Sequence, residues 1–146
     1  MAVTAKMYAN AMKNFAEKKM DLVSDTIKVA LCASGYSVNQ QTDDFWNDAS
    51  GSEVASGNGY TTGGATLSNK TSAVATLTYT FDNTVDTTWS TSTITARYAV
   101  IYDSSPAGAT AQPLVCYIDF GQDMSSSNGN FTISWNASGI FTATVS

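Results

Sequence analysis

The stretch that most constrains the fold is TITARYAVIY, residues 93–102. Ile94, Ala96, Tyr98, Val100 and Tyr102 fall on one side of a period of two, while Thr93, Thr95 and Arg97 on the other side give way to Ala99 and Ile101. Alternation built from β-branched and aromatic residues specifies a strand. An end that is apolar on both sides specifies a strand covered from both faces, in the middle of a sheet. The rest of the chain must supply its neighbours and its covers.

Further strands are expected at residues 26–32, 73–81, 114–120, 130–135 and 140–145, with turns between them, including Asn128-Gly129. In the 73–81 segment Ala73, Ala75, Leu77, Tyr79 and Phe81 take one face, and the Thr-rich face is expected to meet solvent. Residues 82–92 read as a turn carrying Val85 and Trp89. Helical spacing is confined to residues 4–19, where Met7, Ala11 and Phe15 recur at intervals of four beside Tyr8 and Met12, with Thr4 as the expected N-cap. The resulting fold class is mainly β, an antiparallel β-sandwich or jelly-roll-like domain with one N-terminal α-helix. Residues 1–24 form an amphipathic arm, which either lids the sheet or docks on a neighbouring subunit, and residues 25–146 form the sandwich; the 146 residues make one domain.

Between residues 33 and 64 periodicity dissolves into Ser, Asn, Gln, Asp and Gly, with Phe45 and Trp46 as anchors and a short helical turn expected near residues 43–48. Some thirty irregular residues are long for a compact domain and point to function or assembly. Trp46, Tyr60 and Trp89 fall in expected loops, where they can anchor a protein interface, stack on sugars or plug the ends of the sandwich.

Charge narrows the function classes. Only 13% of residues are charged and the net charge is −5, with residues 1–28 at +2 and the remainder at −7. Such an acidic body is unsuited to a phosphate backbone, so no nucleic-acid partner is expected. No apolar run is long enough to span a membrane, and lysines interrupt any export signal at the N-terminus, so synthesis in a cytoplasm is expected. The chain has no histidine, which removes the commonest general base and metal ligand. Asp43, Asp44 and Asp48 lack the spacing of a calcium loop, and Asp103 and Asp119 read as strand-end caps rather than a glycosidase pair. No catalytic, cofactor or metal site is therefore expected. Arg97, a charge inside an apolar strand, calls for a partner such as Asp119. Cys32 and Cys116 are too few for a disulfide framework and are expected as buried free thiols, with a single bridge between strands of different sheets as the alternative.

The segments MAVTAKMYANAMKNF, SDTIKVALC, GYTTGGATLSNKT, ITARYAVIYD, LVCYIDFG and FTISWNASGIF resemble a group of small virion structural proteins of tailed bacteriophages. The resemblance covers nearly the whole chain and carries structural signatures, not catalytic ones. It implies a capsid decoration or cement protein that binds the major capsid protein or other virion subunits and forms a homo-oligomer, with a trimer expected at capsid symmetry points. GYTTGGATL, with Gly59, Tyr60, Gly63, Gly64 and Leu67, is expected to contact another subunit. The competing reading is a tail or head fibre module that binds host glycans through Trp46, Tyr60 and Trp89.

Overall fold

In a computed structural model that describes residues 5–146 and the backbone of Ala2 and Val3, the two-sided apolar stretch forms a nine-residue strand at the centre of the largest sheet. In chain order the elements are β1 (Ala2–Val3), β2 (Lys6–Met7), α1 (Ala9–Ala16), β3 (Ile27–Cys32), α2 (Asn47–Ser50), β4 (Ala65–Thr66), β5 (Lys70–Ala75), β6 (Thr78–Asn83), β7 (Thr87–Ser92) and β8 (Thr95–Asp103). A single 3₁₀ turn (Ala109–Ala111) precedes β9 (Leu114–Ser125), β10 (Gly129–Trp135) and β11 (Phe141–Thr144). The protein is mainly β, its sheets are antiparallel apart from the β1–β10 pair, and the principal helix lies near the N-terminus, as the alternation predicts.

The five-stranded sheet runs β2-β9-β8-β3-β4. Within it, Ala30, Cys32, Val100 and Tyr102 occupy one face, while Val29, Leu31, Ala99 and Ile101 occupy the other, and all eight are buried. The first face is covered by the irregular segment, whose Trp46 stacks on Tyr102 at 4.4 Å between ring centres and whose Tyr36 meets Tyr98 edge-on at 5.7 Å. Two three-stranded sheets, β1-β10-β7 and β11-β6-β5, complete the same buried cluster in a sandwich-like arrangement.

Several boundaries depart from expectation. The expected 73–81 strand is two strands joined by a tight turn, with Thr76 at φ 50°. A left-handed backbone is costly for a β-branched residue, so composition gives no warning of this turn. The ladders to β6 and onward to β11 hold it. Residues 82–92 contain a true strand, β7, in which Thr87 and Trp89 point inward and Thr88 and Ser90 outward. Strand β9 continues past Gly121 (φ 81°), which lies where the β8–β9 register slips between Tyr98↔Asp119 and Ala96↔Met124. Helix α1 is shorter than expected because Lys6 and Met7 are drawn into a strand pair with Tyr117 and Cys116. The expected N-cap, Thr4, lies outside the described residues.

Gly64 fixes how the irregular segment rejoins the sheet. At φ 76°, it approaches β3 so closely that a Cβ would collide with the Val29 carbonyl oxygen and lie 2.6 Å from Ala30 Cα. Gly51, with φ −66°, has open space around it. Gly64→Ala is therefore expected to cost roughly 3 kcal/mol in urea unfolding, from backbone strain and a clash that β3 cannot yield to, whereas Gly51→Ala stays within about 0.5 kcal/mol of the parent.

Candidate functional site

The residues expected at an interface divide into those consumed inside the chain and those left outside. The GYTTGGATL segment is largely consumed. Tyr60 is buried; its hydroxyl accepts the Leu31 N–H at 3.0 Å and donates to Glu53 Oε1 at 2.8 Å. That oxygen also takes the Gly63 N–H at 2.6 Å, and the Gly63 carbonyl accepts the Tyr102 hydroxyl at 2.9 Å. Leu67 is buried and donates its N–H to the Ile27 carbonyl. A Cβ on Gly59 would lie 2.8 Å from Ser92 Cα, so this glycine too is fitted to its own chain. The segment locks the irregular region onto β3 and β8, and it leaves Thr61 and Thr62 outside.

Trp46, Tyr60 and Trp89 are core residues, not exposed platforms. Trp46 lies on Tyr102, and Trp89 packs between Tyr60 at 6.0 Å and Phe131 at 6.1 Å. None presents a free ring face on which a sugar could stack. Loop position misled the sequence reading for Trp46 and Tyr60, and a missed strand misled it for Trp89.

The N-terminal arm docks on its own chain. Tyr8 is fully buried, its N–H bonds the Val115 carbonyl at 3.2 Å, and its hydroxyl meets that of Tyr36 at 2.9 Å. Tyr36 in turn donates to Asp43 Oδ2 at 2.8 Å. Burial holds both phenols well above the ordinary tyrosine range. Ala11 is buried, Met7 and Phe15 are partly covered, and Met12 points outward with 56% of its surface exposed.

Met12 and Phe15 belong to a larger uncovered face. Together with Leu22, Tyr79, Phe141, Ala143 and Val145 they line an almost wholly apolar groove of about 310 Å³ between α1 and the β11-β6-β5 sheet. Val74 (73% exposed) and the hairpin tip residue Leu77 (59%) extend the apolar surface, and Val145 at the groove is itself 65% exposed. Beside the groove lies a depression lined by Lys18, Lys19, Asp21 and Asp25. Exposed apolar residues scattered singly are ordinary, but a set lining one groove beside an unpaired strand is a candidate interaction surface. Sequence reading missed it because a single 73–81 strand hides the hairpin that carries it.

Several of the remaining polar groups are paired within the chain. Arg97 pairs with Asp119 at 2.6 Å, as expected, and the pair holds the Asp119 carboxyl below its usual range. Asp119 sits opposite Tyr98, five positions along β8 from Asp103, so the two carboxylates stand roughly 17 Å apart, too far for a glycosidase pair. Asp43 and Asp48 accept backbone N–H groups of Asn39 and Asp44. Among the described residues no three acidic, Cys or His side chains gather as for a metal ion. Both cysteines are buried free thiols, and burial pushes Cys32 up to about 12 and Cys116 higher still.

No match to known proteins accompanies this geometry: no family model, no curated protein and no solved structure is significantly similar to the chain.

Two outcomes are expected. Tyr60→Phe strands the buried Leu31 N–H and lowers unfolding free energy by about 1–3 kcal/mol, read by urea titration. Asp103, fully buried, is pushed up to about 6 by burial and by the neighbouring Asp25 carboxyl, against the opposing Ser105 N–H. A raised folded-state pKa means that the native state binds this proton more tightly than the unfolded chain. Stability from this group therefore rises as pH falls from neutrality through about 6 toward 4.5. Thermal melts of Asp103→Asn against the parent across that range isolate the effect, and the parent should gain stability relative to the variant as pH falls.

Proposed function

We propose that this protein is a bacteriophage virion structural component, a capsid decoration or cement protein that stabilises the head by binding at contacts between major capsid proteins. The observation that carries the reading is the uncovered apolar face spanning α1 and the β11-β6-β5 sheet, on a small chain whose other large apolar side chains are mostly buried. Few charges and a hydroxyl-rich surface suit a subunit packed among many copies, since interface cores are depleted in charge. The resemblance of the sequence segments to virion proteins supplies the setting, and assembly in the host cytoplasm follows from it.

The physical basis is buried area. A stable contact removes roughly 1,200 Å² or more from water, of which the groove and the apolar hairpin supply one side. The arm's docking in cis sharpens the proposal: Tyr8 and Ala11 serve the subunit's own core, while Met12 and Phe15 remain for a partner. A glycan-binding fibre module has less support, because the rings assigned to it are buried.

Co-sedimentation with assembled capsid shells, followed by cryo-EM of decorated particles, tests the proposal. Replacing Met12 and Val145 together with Asp should weaken shell binding by about tenfold or more while leaving the melting temperature near that of the parent, because both side chains are largely exposed in the free subunit. Binding that is unchanged in this variant, or no density on the head, would remove the decoration reading.

A further inference from the structure

We infer that strand β5 is a self-pairing edge, through which two copies of this chain join across a two-fold axis centred on Ser72 to make one continuous six-stranded sheet. The inference goes beyond the assembly role proposed above and names a partner for the edge beside that face.

Strand β5 is the terminal strand of its sheet, and all its side chains but the half-buried Lys70 are exposed. Protein edges are ordinarily guarded by proline, bulges, strong twist or charge. This one has no proline, and its ladder to β6 runs unbroken from Lys70↔Asn83 to Ala75↔Thr78. Its one charge, Lys70, is turned away from guard duty, because its ammonium bonds the Asp25 carbonyl of the same chain. Strand β7 also ends a sheet, but Thr91 interrupts its regular backbone at φ 49°, and the outer edges of β4 and β11 are only two and four residues long.

The hydrogen-bond phase fixes the register. Thr84 N–H bonds the Asn69 carbonyl at 3.1 Å, and opposite residues in an antiparallel ladder alternate between bonded and non-bonded pairs. Thr71, Ala73 and Ala75 are thus bonded to β6, whereas Lys70, Ser72 and Val74 direct their N–H and C=O groups outward. The bond from Val145 N–H to the Leu77 carbonyl agrees, since it assigns the odd positions of the hairpin's second arm to β11 and leaves the even ones for β5. Centring the two-fold on Ser72 sets Ser72 against its own copy and Lys70 against the other copy's Val74. Every outward group on both strands is then paired, in six hydrogen bonds. Inner faces also coincide, because Ser72 and Val74 share the side of Phe81 and Tyr79. The two Lys70 residues stand four positions apart along the strand direction, about 14 Å, beyond the screening length at physiological salt.

Pairing of this kind is closed and consumes the edge, so it yields a discrete dimer rather than a fibre. It also links neighbouring trimers if the three-fold closure expected at capsid symmetry points forms as well.

Sedimentation of the purified full chain, with mass measured across a concentration series, tests the pairing. The parent should show a concentration-dependent dimer. Ser72→Pro removes only an outward N–H, so it should stay folded by circular dichroism and remain a monomer, whereas Ser72→Ala should still dimerise. Val74→Lys sets a lysine against the partner's Lys70 and should weaken the dimer at least tenfold, and adding Lys70→Glu should restore it. Ser72→Cys should oxidise to a covalent dimer, because an opposed bonded pair has Cα atoms about 5.5 Å apart. A monomeric parent, a dimer indifferent to Ser72→Pro, or no rescue by the charge swap would overturn the pairing. Shell binding reads the two proposals separately: a monomeric parent that still decorates shells defeats only the pairing, and a dimer that ignores shells defeats only the decoration role.

Discussion

Burial of the five-stranded sheet on both faces is the constraint from which the rest of the structure follows. Strands β3, β8 and β9 are apolar on two sides, so each face needs its own cover. On one side the cover is not a second sheet but an irregular segment with α1, held by the stacking of Trp46 on Tyr102 and by the buried Tyr8–Tyr36–Asp43 chain. Backbone without regular structure can lie over a core only if its polar groups find partners. Here Glu53 supplies one for Gly63, the Tyr60 hydroxyl ties the segment to the Leu31 N–H of β3, and Gly64 lets the chain pass close to that strand.

That use of the loop changes where function can reside. A long irregular segment with aromatics ordinarily reads as a binding loop. In this chain its aromatics are spent on packing, and the surface left open lies on a plain β-hairpin with no motif, beside α1. The surface proposed for assembly is unfinished: Val74 and Val145 lie open beyond the buried Phe81 and Phe141, and the β5 edge lacks a neighbouring strand. Both deficits can be met by protein surface of modest chemistry, which suits the assembly role proposed.

Much of this was legible in residue order. The alternation in residues 93–102 specified a central strand, and β8 is one. Arg97 called for Asp119, and the two cysteines called for burial; each follows from local chemistry that a folded context has to satisfy. The hairpin was not legible, because a turn at Thr76-Leu77 contains no glycine, asparagine or proline to announce it. Strand β7 was hidden by the Asp, Asn and Thr around it. The inward fate of Tyr60 and Trp46 was equally hidden, since a loop aromatic carries no mark of the side on which it will pack.

By itself, the sequence determined the class of the fold and the central strand, because periodicity is a property of neighbouring residues. Only the tertiary structure decided which apolar side chains were left over. Exposure is set by what the rest of the chain manages to cover, and residues as alike in sequence as Val29 and Val74 are separated by their places in different sheets, one on an inner strand of the core and the other on an open edge.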